Sequence, residues 1–124
     1  MRTLTLLLTS ILLFFCSEAQ KPTIADITTA LKSTWEHPQT TVREKQTVTV
    51  NNIKIGGSDK SNYAQQMDGI PKDALVTYAK IDFTHNQFYS NETEHVRRIM
   101  TALVFKDQFG DWKVMNTGVV YPDK

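Results

Sequence analysis

Asp82, His85, Glu92, Glu94 and His95 bring carboxylates and imidazoles together in one short stretch of the chain. An aspartate at the end of a strand, followed by a histidine at the start of its loop, can work as an acid–base pair or as two ligands of a metal. Solvated polar residues at a hairpin end give the same spacing, and no ligand motif of the His-Glu-x-x-His kind accompanies them. No metal is therefore expected. Tyr63, Tyr78 and Asp82, with Trp112 beside them, would build a general-acid and carboxylate-base pocket if the fold made them converge. Their spacing does not require convergence, and core or sheet packing accounts for the aromatics equally well. The catalytic candidates are thus Tyr63, Tyr78, Asp82 and His85. Phe88 and Tyr89, set among Asn86 and Asn91, form a candidate recognition tip, with Trp112 as a further binding candidate. Asn91-Glu92-Thr93 fits an N-glycosylation acceptor.

Other chemistries lack their residues. Gly56-Gly57 is not followed by the Lys-Ser/Thr and helix that present amides to phosphate. Gly69 and Gly110 read as turn residues, and there is no serine-nucleophile or metal signature, so no cofactor is implied. The 14 basic and 13 acidic residues leave a formal charge of +1, with neither sign in a long block. A nucleic-acid binder would show a basic stripe, and a membrane-surface segment a polybasic run. Neither partner is expected.

Positioning these residues requires a sheet and something to cover it. Pro22 and Thr23 open a helix, with Thr23 and Asp26 at capping-box spacing. Ile24, Ile27, Leu31 and Trp35 recur at near-helical spacing to give one apolar stripe, and Pro38 ends the pattern. Thr47 to Ile55 is β-branched, with Val48 and Val50 in one phase and Ile53 and Ile55 in the other. The shift at Asn51-Asn52 is either a bulge or a tight turn, and Gly56-Gly57-Ser58-Asp59 closes the element. Asn62 to Asp68 reads as a brief helical turn, followed by a turn at Asp68 to Asp73.

Leu75 to Thr84 is the clearest strand. Leu75, Thr77, Ala79, Ile81 and Phe83 share the face suited to a covering helix, while Val76, Tyr78, Lys80 and Asp82 share the other. His85 to Thr93 reads as a polar loop, Val96 to Lys106 as a strand, and Trp112 to Tyr121 as the last strand. The expected architecture is α+β: one N-terminal amphipathic helix packed on a curled antiparallel sheet of about four strands. Open sheet edges also make homodimerisation through an edge or face possible.

The first nineteen residues read as a signal peptide. Arg2 supplies the positive start, Leu4 to Phe15 the apolar run, and Ser17-Glu18-Ala19 the small residues ahead of a cut before Gln20. The run is short for roughly 30 Å of hydrocarbon, so no membrane span is expected in the mature chain. Cys16, the single cysteine, is either removed with the leader or lipidated. Residues 20–124 then form one α+β domain, secreted or periplasmic, with no disulfide despite a permissive compartment.

A helix followed by a curled meander, over Pro22 to Tyr121, resembles the cystatin-like and nuclear-transport-factor-2-like superfamily. Gly110-Asp111-Trp112-Lys113-Val114 is similar to the Gly-x-Trp-x-Val entry into that superfamily's last strand, and the Ala19-Gln20 junction to small exported bacterial proteins. The resemblance implies a binding or accessory domain. Its other branches would imply a small pocket enzyme of the isomerase or dehydratase type, or a protease inhibitor. Gln46-Thr47-Val48-Thr49-Val50 matches the inhibitors' Gln-x-Val-x-Gly loop except at Val50, where a β-branched residue replaces the glycine. Trp112 also lacks the inhibitors' Pro-Trp context. A non-catalytic binding domain for an unknown protein or small-molecule ligand is the favoured expectation.

Overall fold

Thr23 caps the first helix as its spacing requires: its hydroxyl accepts from the Asp26 amide at 3.1 Å, and the Asp26 carboxylate accepts from the Thr23 amide at 2.9 Å. The computed structural model describes residues 20–36, 45–88 and 92–122. Their elements run α1 (Ile24–Trp35), β1 (Gln46–Lys60), α2 (Tyr63–Met67), β2 (Leu75–Phe88), β3 (Thr93–Lys106) and β4 (Trp112–Val120). The fold is α+β. The four strands pair antiparallel in the order β1-β2-β3-β4. The helix α1 touches both edge strands, so the sheet curls around it. Residues 1–19, with Cys16, and Pro38 lie outside the described residues.

Ile27, Ala30 and Leu31 face the sheet and are buried, with Trp35 partly so; Ile24, read as part of the stripe, is 57% exposed. They meet Val48, Ile53, Ala79, Ile81, Phe83, Met100, Ala102 and Val104 in the main core. The Ile81 and Phe83 face of β2 is therefore the covered one. A smaller cluster of Ile70, Val76, Leu103 and Phe105 lies on the opposite face, packed with Ala74 and Met115. The connection from Ser61 to Ala74 supplies its lid, pinned by Ser61 N–H to Ala74 O (2.9 Å) and Ser61 Oγ to Pro71 O (2.8 Å).

The shift at Asn51 is a bulge: the register steps between Val50 and Asn52 while the strand keeps the same partner. Three boundaries differ from the sequence reading. Gly56-Gly57 does not close β1, which crosses a second irregularity between Ile55 and Ser58 and continues to Lys60. Glycine permits that step because it has no side chain to place. The segment from His85 to Phe88 is strand, not loop, and β3 starts at Thr93 instead of Val96. Cross-strand polar pairs hold this extension where apolar alternation is missing. Asn86 Nδ2 donates to Thr47 Oγ1 (3.2 Å) and Thr49 Oγ1 (3.1 Å), and His95 Nδ1 bonds Asn86 Oδ1 at 2.5 Å.

Phe83 is fully buried and packs at a tilt against Trp35, with ring centroids 5.4 Å apart. Phe83→Ala should lower stability by about 3–5 kcal/mol, whereas Phe109→Ala, at an exposed turn, should change it by less than about 0.5 kcal/mol. Urea unfolding of both variants checks this. Equal losses would mean that the covered face of β2 does not organise the fold.

Candidate functional site

Side chains alternate across a strand, and this alternation separates the residues that the sequence offered for catalysis. On β2, Asp82 faces outward while His85, three positions on, is buried on the face that α1 covers. Tyr78 shares the outer face and is 51% exposed, and Tyr63 stands on α2 at 76% exposed. The four candidates do not converge. Phe88 ends β2 and pairs with Thr93, whereas Trp112 opens β4 and pairs with Lys106 at the far end of β3. These two binding candidates therefore lie at opposite ends of the sheet. Tyr89 and Asn91 fall outside the described residues. Gln46 to Val50 is paired strand along its length, unlike the loop of the protease inhibitors.

The inner face past the helix is a tied network. His85 Nε2 meets Gln46 Oε1 at 3.1 Å and its Nδ1 meets the Gln87 amide at 3.4 Å. Those contacts suit a neutral imidazole donating from Nε2 and accepting at Nδ1. Trp35 packs edge-on against His85, with ring centroids 5.3 Å apart. The Arg98 guanidinium lies between two rings, 5.2 Å from Trp35 and 5.0 Å from Tyr121, and its Nη1 donates to Tyr121 Oη. Cation–π stacking of this kind orders the end of the sheet. Glu36, capping α1, accepts from the Val48 amide at 2.9 Å and so joins the helix end to β1.

Three zones divide the outer face. At one end lies the small apolar cluster under the Ser61 to Ala74 connection. At the other is a polar ladder centred on Asp82. Arg97 grips Asp82 through Nε (3.0 Å) and Nη2 (2.6 Å), and the bulge turns Asn51 onto both Asp82 Oδ1 (3.2 Å) and Thr84 Oγ1 (3.1 Å). Between them runs a groove of about 260 Å³ lined by Lys54, Gly56, Tyr78, Lys80, Thr101 and Thr117. Lys54 and Lys80 sit directly opposite one another across β1 and β2. Thr117 Oγ1 donates to the carbonyl of Thr101, 3.0 Å away, at the groove's far wall.

Glu92, Glu94 and His95 are exposed, and no group of three His, Cys, Asp or Glu residues is placed to hold a metal among the described residues. No helix among them is long and apolar enough to cross a membrane. Of the residues named from sequence, Tyr78 lines the groove and Asp82 lies at its rim beside Lys54 and Lys80. The two lysines escaped notice because facing them across the strands needs the register, and the register turns on the bulge at Asn51. The one usable signal was the outward phase that Lys80 shares with Tyr78. Compared with protein-family models, curated proteins and solved structures, the chain shows no match.

The Arg97 hydrogen bonds hold the Asp82 carboxyl below its ordinary value against a smaller opposing effect of burial, helped by Asn51 and the charges of Arg97 and Lys80. A carboxylate depressed in the folded state stabilises the fold above its unfolded value, about 3.9, and that contribution fades as pH falls through the folded-state value. Arg97→Met should therefore cost stability at neutral pH, by at most about 1 kcal/mol for so exposed a pair. The gap between variant and native chain should close in acid. Urea midpoints from neutral to acid pH check this, and a gap that stays constant would show that Arg97 acts through packing alone.

Proposed function

We propose that this chain is an exported, non-catalytic binding domain that meets its ligand with the outer face of its sheet. On this reading residues 1–19 are a leader cut before Gln20, and α1 is the N-terminal amphipathic helix of the mature domain. The arrangement is that of the cystatin-like and nuclear-transport-factor-2-like proteins, and the destination is secreted or periplasmic. One observation carries the functional part. Asp82 and His85 occupy opposite faces of β2, so the acid–base pair that the sequence offers is split by the sheet itself.

The outer face supports a binding role in its place. It carries an open groove whose walls are side chains of four strands and whose glycine, Gly56, leaves its floor low: a Cβ there would come within 3.2 Å of the Tyr78 carbonyl. Half-exposed Tyr78 beside the lysines gives it an amphipathic wall, the kind of residue that makes contact area at small entropic cost. The inner face is filled by α1 and its core, leaving the outer face as the accessible surface of the sheet.

The exported chain should have a mass that begins at Gln20, with or without loss of ammonia from that new terminal glutamine. Intact-mass measurement of protein recovered from the exported fraction checks this, and a chain that retains Met1 or a lipid on Cys16 would contradict it. For the binding surface, hydrogen exchange of the mature chain in extract of its own compartment should show protection at Lys54 to Gly56 and Tyr78 to Lys80. Protection confined to the Trp35, Arg98 and Tyr121 cluster would move the site to the inner face.

A further inference from the structure

Resting on the outer-face reading, we infer that the groove beside Lys54 and Lys80 is a site for a small organic anion, with the two ammonium groups holding a carboxylate and Tyr78 with the threonine wall holding a short apolar body. The starting point is a conflict with local stability. Lys54 and Lys80 are direct cross-strand neighbours on an exposed face, and like charges so placed destabilise a sheet. Neither has an ion-pair partner among the described residues. The nearest carboxylate at that rim, Asp82, helps through its field, but Arg97 occupies both its oxygens and Asn51 shares one of them. Positions where a sequence sets aside local stability are where function is expected.

Geometry narrows the ligand. A groove of about 260 Å³ falls under the range of roughly 300–1,000 Å³ typical of drug-sized ligands, which suits one ring or a short chain. Ala79 and Ala102 border it but turn their methyl groups into the inner core, and the hydroxyls of Thr101 and Thr117 are engaged with one another at 3.0 Å. The groove therefore offers an apolar length with cationic groups beside it. A second copy of the chain docked face to face would bring four lysines together, so charge complementarity favours an anion over self-association here.

The test uses benzoate and its neutral counterpart benzamide, titrated into the isotope-labelled mature chain and followed by amide chemical shifts. Benzoate should move Lys54 to Gly56, Tyr78 to Lys80, Thr101, Ala102 and Thr117, saturate, and weaken as salt is added; benzamide should not. Lys54→Gln and Lys80→Gln should each weaken benzoate about tenfold, the scale of one charge-assisted contact. Each should leave the ligand-free chain at least as stable, because the opposed pair is relieved. Shifts in the groove that benzamide reproduces, or that survive both substitutions, would overturn the anion assignment while leaving the outer face as a binding surface. Shifts located instead around Trp35, Arg98 and Tyr121, or none at all, would overturn both. Destabilisation by either glutamine would show that the lysines support the fold, and would also sink the proposal.

Discussion

The packing of Ile27, Leu31 and Trp35 on Ile81 and Phe83 decides what every other part of this molecule can be. A twelve-residue helix spans only about 18 Å, while strands of fourteen residues extend over roughly 45 Å. A flat sheet of that size would leave most of its apolar face bare. Curling the sheet until both β1 and β4 reach α1 lets one short helix cover a four-strand core. The bulge at Asn51 and the step at Gly56-Gly57 are the bends that allow β1 to follow this curve. With no cysteine among the described residues, that packing carries the stability.

Filling the inner face has a chemical consequence. The space inside the curve is occupied by Phe83, Met100 and the helix. Polar residues on the same face, His85 and Arg98, are consumed in ordering its end through Gln46, Trp35 and Tyr121. On the outer face, Asp82 is committed to Arg97 and Asn51. The groove beside Lys54 and Lys80 stays open there.

Much of the fold was legible because its determinants are local. The Thr23–Asp26 box, the break in phase at Asn51 and the alternation of Thr77, Ala79, Ile81 and Phe83 each declare themselves within a few residues. The strand from His85 to Phe88 was not legible, because its support is non-local: Asn86 needs Thr47, Thr49 and, across the hairpin, His95. A run of Asn, Gln and His alone resembles a loop. The candidate site was legible only at Tyr78 and Asp82. Lys54 gave no signal until a bulge and a register placed it opposite Lys80.

The outer face also shows how one sheet can treat like and unlike charges differently along its length. Near the hairpin end, Asp82 and Arg97 are diagonal neighbours across β2 and β3, and their opposite signs close into a two-point contact. One pleat away, Lys54 and Lys80 face each other with the same sign and no carboxylate of their own among the described residues. The first pair satisfies itself and stiffens the strands. The second leaves a positive field over an apolar groove, at a distance from Arg97 short enough for Asp82 to feel Lys80 as well. A surface selected for stability alone would have placed a glutamate or threonine at one of these two positions. Retaining both lysines makes sense when something negative completes the face, and the shape of the groove beside them requires that it be small.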